Sequence, residues 1–201
     1  MKENSPTLIC IPDISGFTKF MSDTDIEMSS KVIPSLLNKV IYANDIGLKV
    51  SEIEGDAILF YRSGELPSLE VLVNQCKKFY NEFYSQLNLL QDKYNAQEQA
   101  LDFPNTLGLK IIMHYGDQVS AVPIGKNIKL MGEDVIIAHR LLKNKVPYEE
   151  YILMSKNILQ FYDDEEINRF FNWENLHENE AQYKHIGDIK YCYIDLKPLN
   201  T

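Results

Sequence analysis

The stretch Thr7-Leu8-Ile9-Cys10-Ile11-Pro12-Asp13-Ile14-Ser15-Gly16-Phe17-Thr18 joins an apolar run of strand length to a glycine-bearing turn. A helical pattern starts at Ile14 and runs to Met21. The spacing predicts a strand over Thr7–Pro12, with Asp13 at its end. A strand, a turn with glycine and a helix start together present backbone N–H groups to an anion. A carboxylate at that turn can also hold Mg2+, which takes its other ligands from phosphate and water. An aspartate before a turn is also ordinary turn chemistry and needs no ligand to explain it.

Outward from that junction, a second helix is expected from about Asp25 to Ala43, with Ile26, Val32, Ile33, Leu36, Leu37 and Val40 on one side. Pro34 predicts a kink or break near Val32–Ile33. Leu48–Ile53 and Ala57–Tyr61 flank Glu54-Gly55, which reads as a β-hairpin with Asp56 just past its tip. If two central strands bring Asp13 and Asp56 together, two metals can clamp a triphosphate. Leu66–Tyr94 keeps a three-four apolar rhythm and predicts a long amphipathic helix. Its aromatic stripe, Phe79, Tyr80, Phe83 and Tyr84, reads as core packing in preference to a cofactor wall.

Asn95–Asn105 reads as a loop, and Leu107–His114 with Gln118–Ile124 as a second hairpin around Tyr115-Gly116-Asp117. Gly132–Lys145 is expected to be helical, with strands at Tyr151–Met154 and Lys190–Leu196. Asp163–Glu180 reads as loop with a helical turn. The aromatic residues near it (Phe161, Tyr162, Phe170, Phe171, Trp173) suit a patch that packs on the domain or on a partner. The order describes an α+β fold with helices on one face of a mostly antiparallel sheet. No repeat or linker divides the chain, so one domain over 1–201 is expected, with 160–183 as an insertion before the last strand.

Of 201 residues, 45% are apolar and 24% charged, which supports a buried core and rules out wholesale disorder. The charge sum is 20 − 29 = −9. Such an acidic chain repels phosphate backbones and anionic lipid, so neither a nucleic-acid polymer nor a membrane is an expected partner. Divalent metal would have to bridge any nucleotide to it. Cys10, Cys76 and Cys192 suit neither a disulfide framework nor a zinc site, and the polar start Met1–Pro6 lacks the apolar run of a signal peptide. A cytoplasmic location is expected.

Taken in order, several motifs resemble those of the class III nucleotidyl (adenylate/guanylate) cyclases. Asp13-Ile14-Ser15-Gly16-Phe17-Thr18 is similar to their opening motif, and Glu54-Gly55-Asp56-Ala57 to their second metal-aspartate hairpin. Leu109–Asp117 is similar to their glycine-hairpin strand, Gly132–Leu141 to the helix after the dimer-site loop, and Gly187–Lys190 to the turn before the last strand. The resemblance spans residues 7 to about 196 and implies a ferredoxin-like βαββαβ core. It also implies a head-to-tail homodimer with a site at the interface, closing a nucleoside triphosphate to a 3′,5′-cyclic nucleotide with release of pyrophosphate. By motif position, Asp13, Asp56 and the Ile14 carbonyl would hold two Mg2+ or Mn2+ ions per site. Gly16, Phe17 and Thr18 would cradle the phosphates, and Arg140 would neutralise charge on the transferring phosphate.

The departures bear on substrate and rate. The adenine-selecting lysine is Glu52 here, and its acidic partner is Lys129. Guanine offers N1–H and N2–H2 as donors and O6 as acceptor, so Glu52 and Lys129 would favour GTP over ATP; uracil fits less completely. A swapped ion pair beside an unused cleft accounts for the two residues as well. The transition-state asparagine is Ile136, and the phosphate lysine of the last hairpin has no clean counterpart near Lys184-His185-Ile186-Gly187. A slow guanylyl-type cyclase and a catalytically silent dimeric module that binds nucleotide or protein are therefore the two expectations. His114, His139 and His185 lack metal-ligand spacing, and Asp163-Asp164-Glu165-Glu166 reads as a solvated acidic face.

Overall fold

The computed structural model describes residues 5–94 and 102–200. β1 (Thr7–Ser15), an interior strand of the sheet, is buried at all nine positions. The strand thus extends three residues beyond the expected Pro12 and carries Asp13 inside it. Gly16 ends the strand in left-handed backbone at φ 78°, where a Cβ would meet the Thr106 carbonyl oxygen at 1.9 Å. From there the chain enters α1 (Phe17–Asp23) and then α2 (Ile26–Tyr42), capped by the Asp25 side chain accepting the Met28 N–H. The helix runs through Pro34 without the expected break. Pro34 and Ser30 are both exposed, so the Ser30 carbonyl that proline leaves without an amide donor lies on the solvent face.

β2 (Lys49–Glu54) and β3 (Ala57–Ser63) form the expected hairpin, turning at Gly55-Asp56. α3 (Leu69–Tyr94) buries Phe79, Tyr80, Phe83 and Tyr84, so the aromatic stripe is core. Most of the expected 95–105 loop lies outside the described residues, and its end is the short helix α4 (Phe103–Thr106). β4 (Gly108–Gly116) then pairs antiparallel with β1 along its whole length. The β2-β3-β1-β4 arrangement, with α1–α2 and α3 as crossovers, is the ferredoxin-like βαββαβ core. The sheet continues through β7 (Tyr151–Ser155), β9 (Gly187–Asp195) and β8 (His177–Tyr183), with β4–β7 the one parallel pair among the described residues.

Three expectations need correction. The strand after Gly116 does not fold back on β4. Both edges of β4 are taken by β1 and β7, so β5 (Ser120–Ile124) pairs instead with β6 (Asn127–Met131) around Gly125-Lys126, in a separate two-stranded sheet. β8 lies in the acidic stretch read as loop. As the outermost strand of the sheet it buries little, and exposed Glu178 and Glu180 suit an edge. Helices also occupy both faces, because α5 (Glu133–Leu141) packs opposite α1–α3.

Alternate residues of β1 therefore feed two cores. Leu8 and Cys10 join Phe60, Phe79 and Met113 on the α1–α3 side. Ile9 and Ile11 join Leu59, Ile112, Val135, Ala138 and Leu141 on the α5 side, with Val119 and Leu130 beside the hairpin. α6 (Lys156–Leu159) and α7 (Asp164–Phe170) follow β7, and Asp163 caps α7 by accepting the Glu166 N–H. Most of the aromatic patch packs on this chain, while Phe161 is exposed. Phe171 is buried, Tyr162, Phe170 and Trp173 lie on the larger core, and the Trp173 Nε1–H donates to the Asp195 carbonyl at 2.8 Å.

Candidate functional site

Sheet register brings the two aspartates together. Asp13 on β1 pairs with Ala57, the residue after Asp56, and the Ile14 N–H donates to the Asp56 carbonyl oxygen at 3.1 Å. The carboxyls adjoin: burial, and then the Asp13 charge, push Asp56 up to about 6. On the other side of β1, Lys110 of β4 sits directly across from Asp13, its Nζ 3.1 Å from Oδ2. Burial works to lower Lys110, but the Asp13 charge, with Tyr151 and Asp56 behind it, holds the ammonium above its ordinary range.

A cleft of about 360 Å³ opens beside these groups, lined by Asp56 and Lys110 but not by Asp13 itself. Ile14, Gly16, Phe17, Thr18, Lys19, Asp56 and Lys110 line one side, with Asn144, Tyr148 and Tyr151 opposite. No side chain caps the first turn of α1, so its amides face the cleft mouth or water. Among the described residues no third carboxylate, imidazole or thiolate joins Asp13 and Asp56. Two hard oxygen donors that repel one another suit Mg2+ or Mn2+, whose remaining ligands are oxygen from backbone, water or phosphate. Gly16→Ala places a methyl against the Thr106 carbonyl in backbone that L-residues avoid, and is expected to cost about 2–4 kcal/mol on thermal unfolding.

The other sequence-derived residues lie elsewhere. Glu52 on β2 forms an ion pair with Lys129 on β6 of the same chain. Arg140 is exposed in the last turn of α5, close enough for its charge to act on Tyr183, and Ile136 is 51% exposed on the same helix. None of these four lines the aspartate cleft. Their elements also present Val50, Ile53, Ile128 and Met131 to solvent, with Ile124 on neighbouring β5, an unusual concentration of exposed apolar side chains.

The roles of three groups escaped the sequence reading. Lys110 is one, although it is the lone charge in the apolar run Leu109–Met113. His114 is another: Nδ1 lies 2.8 Å from Ser155 Oγ and Nε2 2.7 Å from Asp134 Oδ1, while Asp134 Oδ2 accepts the Gln118 N–H at 2.7 Å. Burial works to raise Asp134, but the His114 hydrogen bond, the Gln118 N–H and the His114 charge together hold it below the usual carboxylate range. His114, Asp134 and Ser155 are buried, which leaves no room for a substrate; they join β4, β7, α5 and the segment leading into β5. The third is Glu150, 4% exposed, which accepts from the Tyr84 hydroxyl at 2.6 Å and the Leu109 N–H at 3.3 Å; burial pushes it up. A single sequence carries no signal for such long-range polar pairs.

Among the described residues no helix is long and apolar enough to cross a membrane. A family model described as "Protein of unknown function (DUF2652)" matches residues 33–151. The uncharacterised protein Rv2561/Rv2562 of Mycobacterium tuberculosis is 30% identical over 161 residues, covering 80% of this chain and 72% of that protein. The guanylate cyclase domain of RhGC from Catenaria anguillulae, solved with GTP, superposes with a TM-score of 0.62 at 16% identity, covering 96% of this chain and 97% of that one. The adenylyl cyclase CyaB of P. aeruginosa gives 0.60 at 15% identity, covering 95% and 94%. At such identities the shared property is the fold, which is that of a class III cyclase catalytic domain.

Proposed function

Because this chain belongs to the DUF2652 family, whose description assigns no reaction, we propose its function from the cleft itself: it is a cytoplasmic, single-domain, homodimeric nucleotide-binding protein with slow guanylyl-type cyclase activity. The observation that carries the proposal is the meeting of Asp13 and Asp56 at one end of β1. Asp13, Asp56 and the Ile14 carbonyl would hold two Mg2+ or Mn2+ ions. When bound, these ions supply Lewis-acid polarisation of the α-phosphate and a nucleophilic ribose 3′-oxygen. The backbone at Gly16, Phe17 and Thr18 orients the phosphates, with the ammonium of Lys110 at the cleft wall adding positive charge.

Arg140, Glu52 and Lys129 act on a nucleotide held by a second copy. They lie outside their own cleft, on elements that also expose Ile53, Ile128, Met131 and Ile136, a face suited to closing against another chain. Glu52 accepts from guanine N1–H and N2–H2, Lys129 donates to O6, and Arg140 offsets charge building on the transferring phosphate. Because the two base-reading side chains are paired with each other before nucleotide binds, both are already held within reach of one base edge.

Ile136 favours a second reading, a silent module that uses the same dimer. An exposed hydrocarbon stands where the resemblance expects a hydrogen-bond donor, and losing one such donor costs about 10²–10³ in kcat. Mass spectrometry of products from the four triphosphates with Mn2+ decides between the two. The cyclase reading expects slow formation of cyclic GMP; no product alongside retained metal-dependent GTP binding selects the silent module. Equal, metal-independent binding of all four would remove the cyclase reading. The paired exchange Glu52→Lys with Lys129→Asp is expected to shift binding from GTP toward ATP by about tenfold or more, measured by competitive titration.

A further inference from the structure

We propose that Lys110 is a built-in cation of the aspartate cleft, so that the protein takes up one divalent ion by itself and a second only when a triphosphate draws the ammonium off Asp13. This deepens the nucleotide reading above and rests on it. The geometry is set by the sheet. Antiparallel pairing places Lys110 opposite Asp13 on the neighbouring strand, so the two side chains leave the same face. The side chains are 23% and 12% exposed, so water screens their attraction little.

Asp13 and Asp56 together offer four carboxylate oxygens, and no third anionic side chain joins them among the described residues. One of the four, Asp13 Oδ2, is already bonded to the ammonium. A divalent ion approaching that oxygen must displace a group that cannot withdraw, because Lys110 is anchored on β4 between buried Leu109 and Ile111. Its long side chain can only swing. Both Lys110 and Thr18 line the cleft, so a phosphate group seated there would give the ammonium a second partner, strongly charged and close by. Ion and ammonium thus compete for Asp13 until phosphate accepts the ammonium.

Equilibrium dialysis and electron paramagnetic resonance of the full chain with Mn2+ test this. Without nucleotide, the wild type is expected to bind one Mn2+ per chain with an isolated-ion signal. Added GTP should bring a second and a spin-coupled signal. Lys110→Met should bind two without GTP, and Lys110→Arg, which keeps the charge, should bind one. Two ions on the wild type without GTP, or one on a folded Lys110→Met, overturns the proposal for Lys110 while leaving the nucleotide reading intact. No Mn2+ on the wild type under either condition overturns the nucleotide reading itself. Thermal unfolding confirms that the variants are folded, and Lys110→Gln, which also removes the charge and should bind two without GTP, keeps the test decisive if the methionine form does not fold.

Discussion

Asp56→Asn is expected to leave the protein more stable at neutral pH and to cut Mn2+-dependent nucleotide binding and turnover by at least about 100-fold. The hundredfold loss is a floor, since even the outer partners of metal ligands cost about 10–100-fold when removed. The stability gain follows from the repulsion that makes the site useful. Asp56 is raised from an aspartate's ordinary value of 3.8 to about 6, through burial and then the Asp13 charge. A carboxyl whose folded pKa lies above its unfolded one contributes stability that is fully present below the unfolded value. That contribution is lost as pH rises through about 6. The gross penalty at pH 8 is about 3 kcal/mol; Asp56 is half-buried, and screening by water brings it nearer to about 1 kcal/mol.

Asparagine keeps the size of the side chain and never ionises, so the variant escapes this loss. Denaturant unfolding at pH 4 and pH 8 should show no advantage for Asp56→Asn at the lower pH and an advantage of about 1 kcal/mol at the higher. A folded variant that still makes cyclic nucleotide at the wild-type rate would sink the metal role. A variant less stable than wild type at pH 8 would show that Asp56 is held by contacts other than its standoff with Asp13.

The second large effect is expected away from the cleft. His114→Ala should destabilise the protein by about 2–4 kcal/mol, because it leaves a buried carboxylate short of one hydrogen-bond partner and opens a cavity. For a chain of this length that is a fall in melting temperature of roughly 10 °C. The alanine strips Asp134 Oδ1 of its 2.7 Å partner and leaves the carboxylate in a site where its residue is 5% exposed. Gln118 N–H remains as a donor to Oδ2. Space cannot be recovered by collapse, since Gly116 already lies against the Asp134 carboxyl, where a Cβ would come within 2.0 Å. Hydrogen exchange should rise first at Gln118 and in α5, the elements that the pair ties to β4. A loss below about 1 kcal/mol would mean that water or a shifted side chain satisfies Asp134.

The sequence was sufficient for features that repeat along the chain or sit within a few residues. The two-residue alternation of β2 and β3 around Gly55, the three-four rhythm of α3, and the Asp13–Thr18 junction are local, and the α+β core follows from their order. Asp13 and Asp56 were legible as candidates for the same reason: each stands beside a glycine turn. Pairing was not legible. That β5 turns away from β4 to meet β6 depends on both edges of β4 being occupied, one by β1 and the other by β7. β8 carries no apolar pattern because an edge strand has little to bury.

The same limit governed the site. Lys110 faces Asp13 across ninety-seven positions of chain (110 − 13), and His114 meets Asp134 and Ser155 from three different elements. Residue type and spacing describe what one segment can present, to either side of itself. Which charge stands opposite which is set by strand register and by the packing of α5 on the sheet, and those are properties of the folded chain as a whole.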